Sequence, residues 1–344
     1  VAKLAERMKQ NPEDAQGWAM LGKSYAVMGR FDDAAQAYAQ ASKRAPDNPH
    51  VLTDFADALA MSRGQSLQGE PEALVLRALK IDPDHNKALA LAGTAALERN
   101  DAANAIEAYQ KLLGLYAKRG NNYSKKGYTT LNLARAYYQN KDFESAAEYY
   151  RGISKDNSAY RESLTELGWS YLQIGKVRSA LSVIQTLHTP FYENYFEPES
   201  LVLRAILLNY LCQFDEAEKA VKSFNENYEN TLDILSNWTS QTITVADAIS
   251  EINFATEILK SDKQSASAMS NYRGKIPFKV TRSILKDYRM KGLYDAYIMI
   301  RDESKTAKKY FGAVNTQLNP FLDKIYAGRM NYFKNQLALK FNQV

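Results

Sequence analysis

The chain is poor in residues that break helices or cross-link folds. Its 344 residues include one cysteine, 9 prolines and 16 glycines. A lone thiol, Cys212, excludes an intramolecular disulfide framework, but it leaves the compartment open. Few prolines and glycines favour helix over a turn-rich sheet fold. No run approaches 18 apolar residues, so no segment reads as a membrane-spanning helix. The chain starts at Val1, with no initiating methionine and no basic-then-apolar leader, and is expected to be a mature or trimmed form. Net charge is a modest +5. It is unevenly spread: residues 261–344 hold 16 Lys/Arg against 6 Asp/Glu, a net +10, which leaves −5 on the rest.

Signatures of catalysis are missing as well. His50, His85 and His188 lie far apart in the sequence. None has a second His or Cys at metal-ligand spacing, and all three read as surface or helix-end residues. Cys212, in LNYLCQFDEA, is expected on the inward side of a helix end as a buried, inert thiol. There is no Gly-rich phosphate loop and no nucleophile elbow. Asp32 and Asp33 read as the start of a helix, where negative charge complements the dipole. No catalytic residue, metal site or cofactor is expected.

What the chain does have is a repeat. Over residues 15–48, Trp18, Leu21, Gly22 and Tyr25 form one helical set, Ala34, Tyr38 and Ala41 a second, and Pro46 closes the unit. Residues at i, i+3, i+4 and i+7 share a helix face. Small residues such as Gly22 and Ala34 let two helices approach, large ones fill the space beside them, and proline ends the second helix. The same spacing returns with Leu52, Phe55, Ala56, Leu59, Ala78 and Pro83, where the loop RGQSLQGEP carries about three extra residues. It returns again with Leu89, Gly93, Ala105 and Tyr109. Three further units follow: Leu133, Ala134, Tyr137, Ala146 and Tyr150; Leu167, Gly168, Tyr171 and Ala180; Leu201, Ala205, Leu208, Ala217 and Phe224. This is the tetratricopeptide (TPR) pattern. The expected fold is all-α, a right-handed TPR superhelix of about six helix-turn-helix repeats with a helical C-terminal extension. The expected divisions are 1–116, 117–227 and 228–344. In the last, SEINFATEILK and FLDKIYAGRMNYFKNQLALKF keep helical periodicity, and three or four helices are expected to cap or continue the array.

Two resemblances meet near residue 117. NPEDAQGWAMLGKSYAVMGRFDDAAQAYAQA, the GQSLQGEP loop and the KALALAG block make residues 1–115 resemble the periplasmic TPR domain of the cytochrome c maturation (CcmI/CycH-type) family. That resemblance implies a domain that holds an apocytochrome by its C-terminal helix, beside an N-terminal membrane part outside these residues. Residues 127–225, with KDFESAAEYYRGISKDNSAYRESLTELGWSYLQIG, are similar to secreted TPR proteins of predatory and related bacteria, which implies no activity. The resemblances imply a periplasmic or secreted location for the parents. Alanine is dense before the junction and sparse after it, while tyrosine does the reverse. The junction, AIEAYQKLLGLYAKRGNNYSKKGY, lacks the closing proline. It reads as the second helix of the third unit, continuous from about Ala105 to Arg119 and prolonged to dock the fourth, with Leu112, Leu113 and Tyr116 facing the neighbouring repeats. Two arrays can share a helix because each repeat contacts only its neighbours. An artificial fusion with a purely structural role and no natural ligand is therefore the alternative reading.

Binding is expected on the concave face lined by the first helices. Off the packing stripe these present Gln16, Ala19, Lys23, Ala26, Thr53, Asp57, Lys87, Ala90 and Thr94, a small and polar set that leaves room for a helical or extended peptide. Beyond the junction the same positions are bulkier: Leu131, Arg135, Tyr138, Trp169, Leu172, Val202 and Ile206. They are read either as a binding surface, to which Arg135, Tyr138 and Trp169 would contribute, or as a face covered by the chain's own C-terminal helices. The partner is expected to be a protein or peptide, of apocytochrome type for the first half. In the basic C-terminal region Tyr288, Tyr294, Tyr297, Tyr310 and Phe311 interleave with Lys and Arg. At helical spacing they read as core, so no nucleic acid is expected.

Overall fold

The computed structural model describes residues 1–118, 126–192, 195–241, 244–260, 272–286, 288–312 and 319–343. A leading helix α1 (Ala2–Gln10) is followed, among the described residues, by six helix-turn-helix units. These are α2 (Ala15–Val27) with α3 (Phe31–Arg44), α4 (Pro49–Ser62) with α5 (Glu70–Ile81), α6 (Asn86–Glu98) with α7 (Ala102–Lys118), α8 (Lys126–Gln139) with α9 (Phe143–Arg151), α10 (Tyr160–Gln173) with α11 (Val177–Leu187), and α12 (Pro198–Tyr210) with α13 (Phe214–Ser240). The architecture is an all-helical α-solenoid. Side-chain caps fix several helix starts. Asp14 accepts from the Gly17 N–H at 2.8 Å and Asp142 from Ser145 at 3.1 Å, while Asn48 precedes Pro49 and accepts from His50 and Val51.

The turn inside each pair is the same object six times over. The N–H groups of Arg30, Gln65, Asp101, Asp142, Lys176 and Gln213 each donate to a carbonyl five residues back, on Tyr25, Ala60, Ala96, Tyr137, Tyr171 and Leu208. The residue before each donor is left-handed: Gly29 (φ 70°), Gly64 (80°), Asn100 (61°), Lys141 (62°), Gly175 (73°) and Cys212 (56°). This six-to-one bond satisfies carbonyls that the helix end leaves open. Cys212 is thereby corrected: α12 stops at Tyr210, so the thiol belongs to the turn and is exposed. Lys141 and Cys212 carry side chains that the left-handed region disfavours by about 1–2 kcal/mol. Lys141→Gly and Cys212→Gly should each raise stability to urea by up to about 1 kcal/mol, since glycine regains some entropy when unfolded. A fall in stability for both would refute the strain.

Pairs close where a small residue of the first helix meets a large one sixteen residues on. A Cβ on Gly22 would lie 2.8 Å from the Tyr38 ring, one on Gly93 2.6 Å from Tyr109, and one on Gly168 2.8 Å from Ile184. Clusters then run from repeat to repeat. Ala34, Ala35 and Tyr38 pack with Ala58 and Leu59 of the next pair. Leu52, Ala56, Val75 and Ala78 pack with Ala88. Leu112 and Tyr116 are buried against Leu89 of α6, whereas Tyr109 and Ala105 share a cluster with Ala96, Leu133 and Ala136. Helix α7 thus packs on α6 and on α8. The part of the junction from Arg119 to Lys125, including the end of the expected shared helix, lies outside the described residues. The extended loop after α4 is pinned through Leu67, whose side chain is buried and whose N–H donates to Glu98 Oε2 at 2.9 Å.

The chain forms two compact units: Val1–Thr189 with Glu199–Ala220, and Pro190–Pro198 with Val221–Val344. The second contains α14 (Val245–Lys260), α15 (Phe278–Lys286), α16 (Tyr288–Ala307), which runs into a π-helical turn (Lys308–Gly312), and α17 (Asn319–Gln343). Ala255, Ile258 and Phe278 form one of its cores. Buried Glu251 of α14 accepts from the N–H groups of Lys275 (2.7 Å) and Ile276 (3.1 Å), which fixes the approach to α15. The Arg282 guanidinium lies 3.8 Å above the Tyr195 ring. Tyr297 is buried while Tyr310 is exposed, and the side chains of Tyr288 and Phe311 lie outside the described residues. No described helix is long and apolar enough to cross a membrane.

Candidate functional site

Stacking puts equivalent helix positions of successive repeats side by side, so residues about one repeat apart become neighbours. In the first three repeats this builds a polar ladder. Lys87 of α6 reaches back to α4, with Nζ 2.6 Å from Asp54 and 2.8 Å from Asp57. Burial works against the ammonium, but the two carboxylates outweigh it and raise its pKa above the ordinary lysine value. Gln16 and Lys23 are exposed, and Ala19 and Ala26 lie half-buried beside the Tyr38 cluster. Ala90 lines the Leu89 cluster, and the Thr94 hydroxyl pairs with that of Tyr109 at 3.0 Å. Tyr109 is pushed up to about 12, chiefly by burial. Thr53 is fully buried and its hydroxyl donates to Pro49 and His50 carbonyls, so it offers nothing to a ligand.

Two histidines far apart in the sequence meet at their helix ends. His50 and His85, one repeat apart, stand at the starts of α4 and α6 with their ring nitrogens 2.9 Å apart. His85 Nδ1 accepts from the Ala88 N–H at 3.2 Å, which leaves Nε2 to donate to His50 Nδ1. Burial and then the neighbouring His50 lower the His85 pKa. His188 is set apart from them. Its Nε2 meets Ser200 at 3.0 Å, and burial with Arg204 lowers its pKa to about 4. Among the described residues, no group of three or more His, Cys, Asp or Glu is arranged to hold a metal.

The fourth to sixth repeats form an open pocket of about 860 Å³ lined by Arg135 and Tyr138 of α8, Glu166 and Trp169 of α10, and Glu199 of α12, among others. Arg135 forks onto Glu166, with Nε 2.9 Å from Oε2, and also reaches Glu162 at 3.5 Å and Asn132 at 3.3 Å. Burial opposes the Arg135 charge, but Glu166 and then Glu162 outweigh it and raise its pKa. Burial, then the Glu166 charge, raises the Tyr150 phenol far above the ordinary range. Trp169 Nε1 donates to Glu199 Oε1 at 2.7 Å, and Tyr138 meets Phe143 edge-on with ring centroids 5.0 Å apart. The pocket therefore brings together Arg135, Tyr138 and Trp169, whereas Leu131 is buried in the core. Reading the sequence missed Glu166, Glu199 and Asp54. Their signal is the repeat offset: Glu166 lies 31 residues after Arg135, Glu199 30 after Trp169, and Asp54 33 before Lys87.

With the pair geometry and the faces of α2, α4, α6, α8, α10 and α12 in place, comparison with known proteins agrees on the repeat. Residues 3–123 match the model of the cytochrome c-type biogenesis protein H TPR domain, and residues 131–187 match a tetratricopeptide repeat model. The chain is built on tetratricopeptide repeats. It is 36% identical over 114 residues to cytochrome c-type biogenesis protein CycH of Pseudomonas aeruginosa, a match covering 33% of this chain and 28% of that protein. It is 28% identical over 118 residues to subunit NrfG of the formate-dependent nitrite reductase complex of Escherichia coli O157:H7, covering 34% of this chain and 60% of that subunit. The chain thus spans less than two thirds of either relative. The crystal structure of PilW, a type IV pilus biogenesis factor, shares the TPR fold at 15% identity with a TM-score of 0.52, covering 62% of this chain and 94% of that one.

Proposed function

We propose that the chain is a non-catalytic interaction scaffold whose first three TPR repeats hold a helical peptide, the C-terminal helix of an apocytochrome c, in the periplasm. The observation that carries this reading is the match of residues 3–123 to a cytochrome c biogenesis TPR domain. The first helices support it locally. Gln16 and Lys23 stand exposed, Asp57 and Lys87 are half-exposed, and Ala19, Ala26 and Ala90 keep the face low enough for a helix to lie on it. Half-exposed ion pairs such as Lys87–Asp57 add little to stability, so exchanging them for ligand contacts costs little. Titration of the whole chain with C-terminal helical peptides of c-type cytochromes should show saturable binding. Replacing Lys87 with Glu should weaken it about tenfold by placing like charge beside Asp54 and Asp57. No binding at high micromolar peptide would overturn the proposal.

A second reading, a joined scaffold without natural ligand, is favoured by one observation: the two family matches end and begin on either side of residues 124–130. One natural reading frame running through that junction would rule it out.

A further inference from the structure

We propose that the pocket of the fourth to sixth repeats is a receptor for a basic side chain, an arginine of an extended peptide, held over the Trp169 ring and against Glu199. The inference extends the peptide reading of the first three repeats to this face, takes it as a binding surface, and adds the chemistry of the guest.

Three kinds of guest could enter a pocket of this size, and the spent and unspent groups decide among them. An anion needs donors, and the guanidinium in the lining is used up. Arg135 gives its guanidinium to Glu166, Glu162 and Asn132. Lys141 lines the pocket too, but as a lone exposed ammonium in the left-handed turn. An apolar guest would suit Tyr138, Phe143 and Trp169, but it would bury Glu199 beside it without a counter-charge. A cation fits both sets of groups. Trp169 is held at its indole N–H by Glu199, and tryptophan is the aromatic that binds cations best. Glu199 makes no salt bridge among the described residues, while Glu162 and Glu166 are set against Arg135, and the other cation in the lining, Lys141, is exposed.

The aromatic wall beside a carboxylate selects arginine over lysine. Gln139 lines the same pocket, but its Nε2 donates to Leu97 O and to Asn100 Oδ1 and its Oε1 is buried, so neither atom is offered to a guest. A pocket walled by an indole and a carboxylate calls for a flat, donor-rich guest. Guanidinium carries five N–H groups in a plane and stacks on aromatic faces, whereas an ammonium offers three donors from a point.

The test uses the whole chain and three nine-residue peptides that differ at one central residue: arginine, its uncharged isostere citrulline, and glutamate. Binding is followed by the indole N–H resonance of Trp169, assigned with Trp169→Phe, and by calorimetry. The arginine peptide should bind at least tenfold more tightly than the citrulline peptide, and the glutamate peptide more weakly still. Glu199→Gln keeps an acceptor for the Trp169 indole but removes the charge, and should erase the arginine preference with no change in thermal unfolding. Lys141→Ala should sharpen that preference by removing a competing cation. Equal binding of all three peptides would overturn the arginine assignment and leave the groove reading standing. Preference for glutamate would overturn it by reversing the sign. Binding of none would remove both the assignment and the groove reading for these repeats.

Discussion

Truncating Tyr109 to alanine is expected to destabilise the first compact unit by about 4 kcal/mol, the cost of a large aromatic lost from a closed core. Tyr109 is 1% exposed and packs with Ala96, Ala105, Leu133 and Ala136, so its ring fills space shared by three helices, α6, α7 and α8. Its hydroxyl pairs with Thr94, so truncation also takes a buried partner from that hydroxyl. The companion experiment is Gly93→Ala. The new Cβ would lie 2.6 Å from the Tyr109 ring, and such overpacking costs about 1–3 kcal/mol. Combined with Tyr109→Leu, the clash should largely vanish, so the two substitutions should be strongly non-additive. Urea unfolding gives the energies, and hydrogen exchange in α7 and α8 shows whether the loss falls at this three-helix contact. A Tyr109→Ala loss below about 1 kcal/mol would sink the idea that this ring ties the third repeat to the fourth.

In the second compact unit the largest single effect should come from Glu251→Leu. The carboxylate is 2% exposed and accepts from the N–H groups of Lys275 and Ile276, with the Tyr272 hydroxyl 3.4 Å away. Leucine fills similar space but leaves two backbone donors without an acceptor, each at about 1–3 kcal/mol. A loss of about 3 kcal/mol is expected. Glu251→Gln should fall between, since one amide oxygen still accepts while its NH₂ faces a second donor. The amides of Lys275 and Ile276 should exchange faster in both variants. Unchanged exchange there would show that those N–H groups draw their protection from elsewhere.

The helix pairs were legible because the large and small residues sit at fixed offsets. Gly22 with Tyr38, Gly93 with Tyr109 and Gly168 with Ile184 each fall sixteen apart, and that spacing is a packing rule written directly into the chain. The turns were less so. Gly29 and Gly175 announce a left-handed residue, but Asn100, Lys141 and Cys212 occupy the same conformation without glycine, and the thiol was misplaced on that account. The site was legible on one side only. Aromatic and cationic members such as Trp169 and Arg135 stand out by type. Their acidic partners Glu199 and Glu166 look like ordinary solvated helix residues until the offset of one repeat is applied. His50 and His85 were separated by the same habit of measuring distance along the chain.

The ladder of contacts spaced by about one repeat has a consequence for how such a surface changes over time. Lys87 to Asp54, Arg135 to Glu166 and Trp169 to Glu199 each join one module to the next. Duplicating, deleting or swapping one module would rewrite only the rungs at its two borders and leave every other rung intact. Such a surface is rewritten in cassettes of about thirty-four residues, so a change at one end of the array leaves the face at the other end as it was.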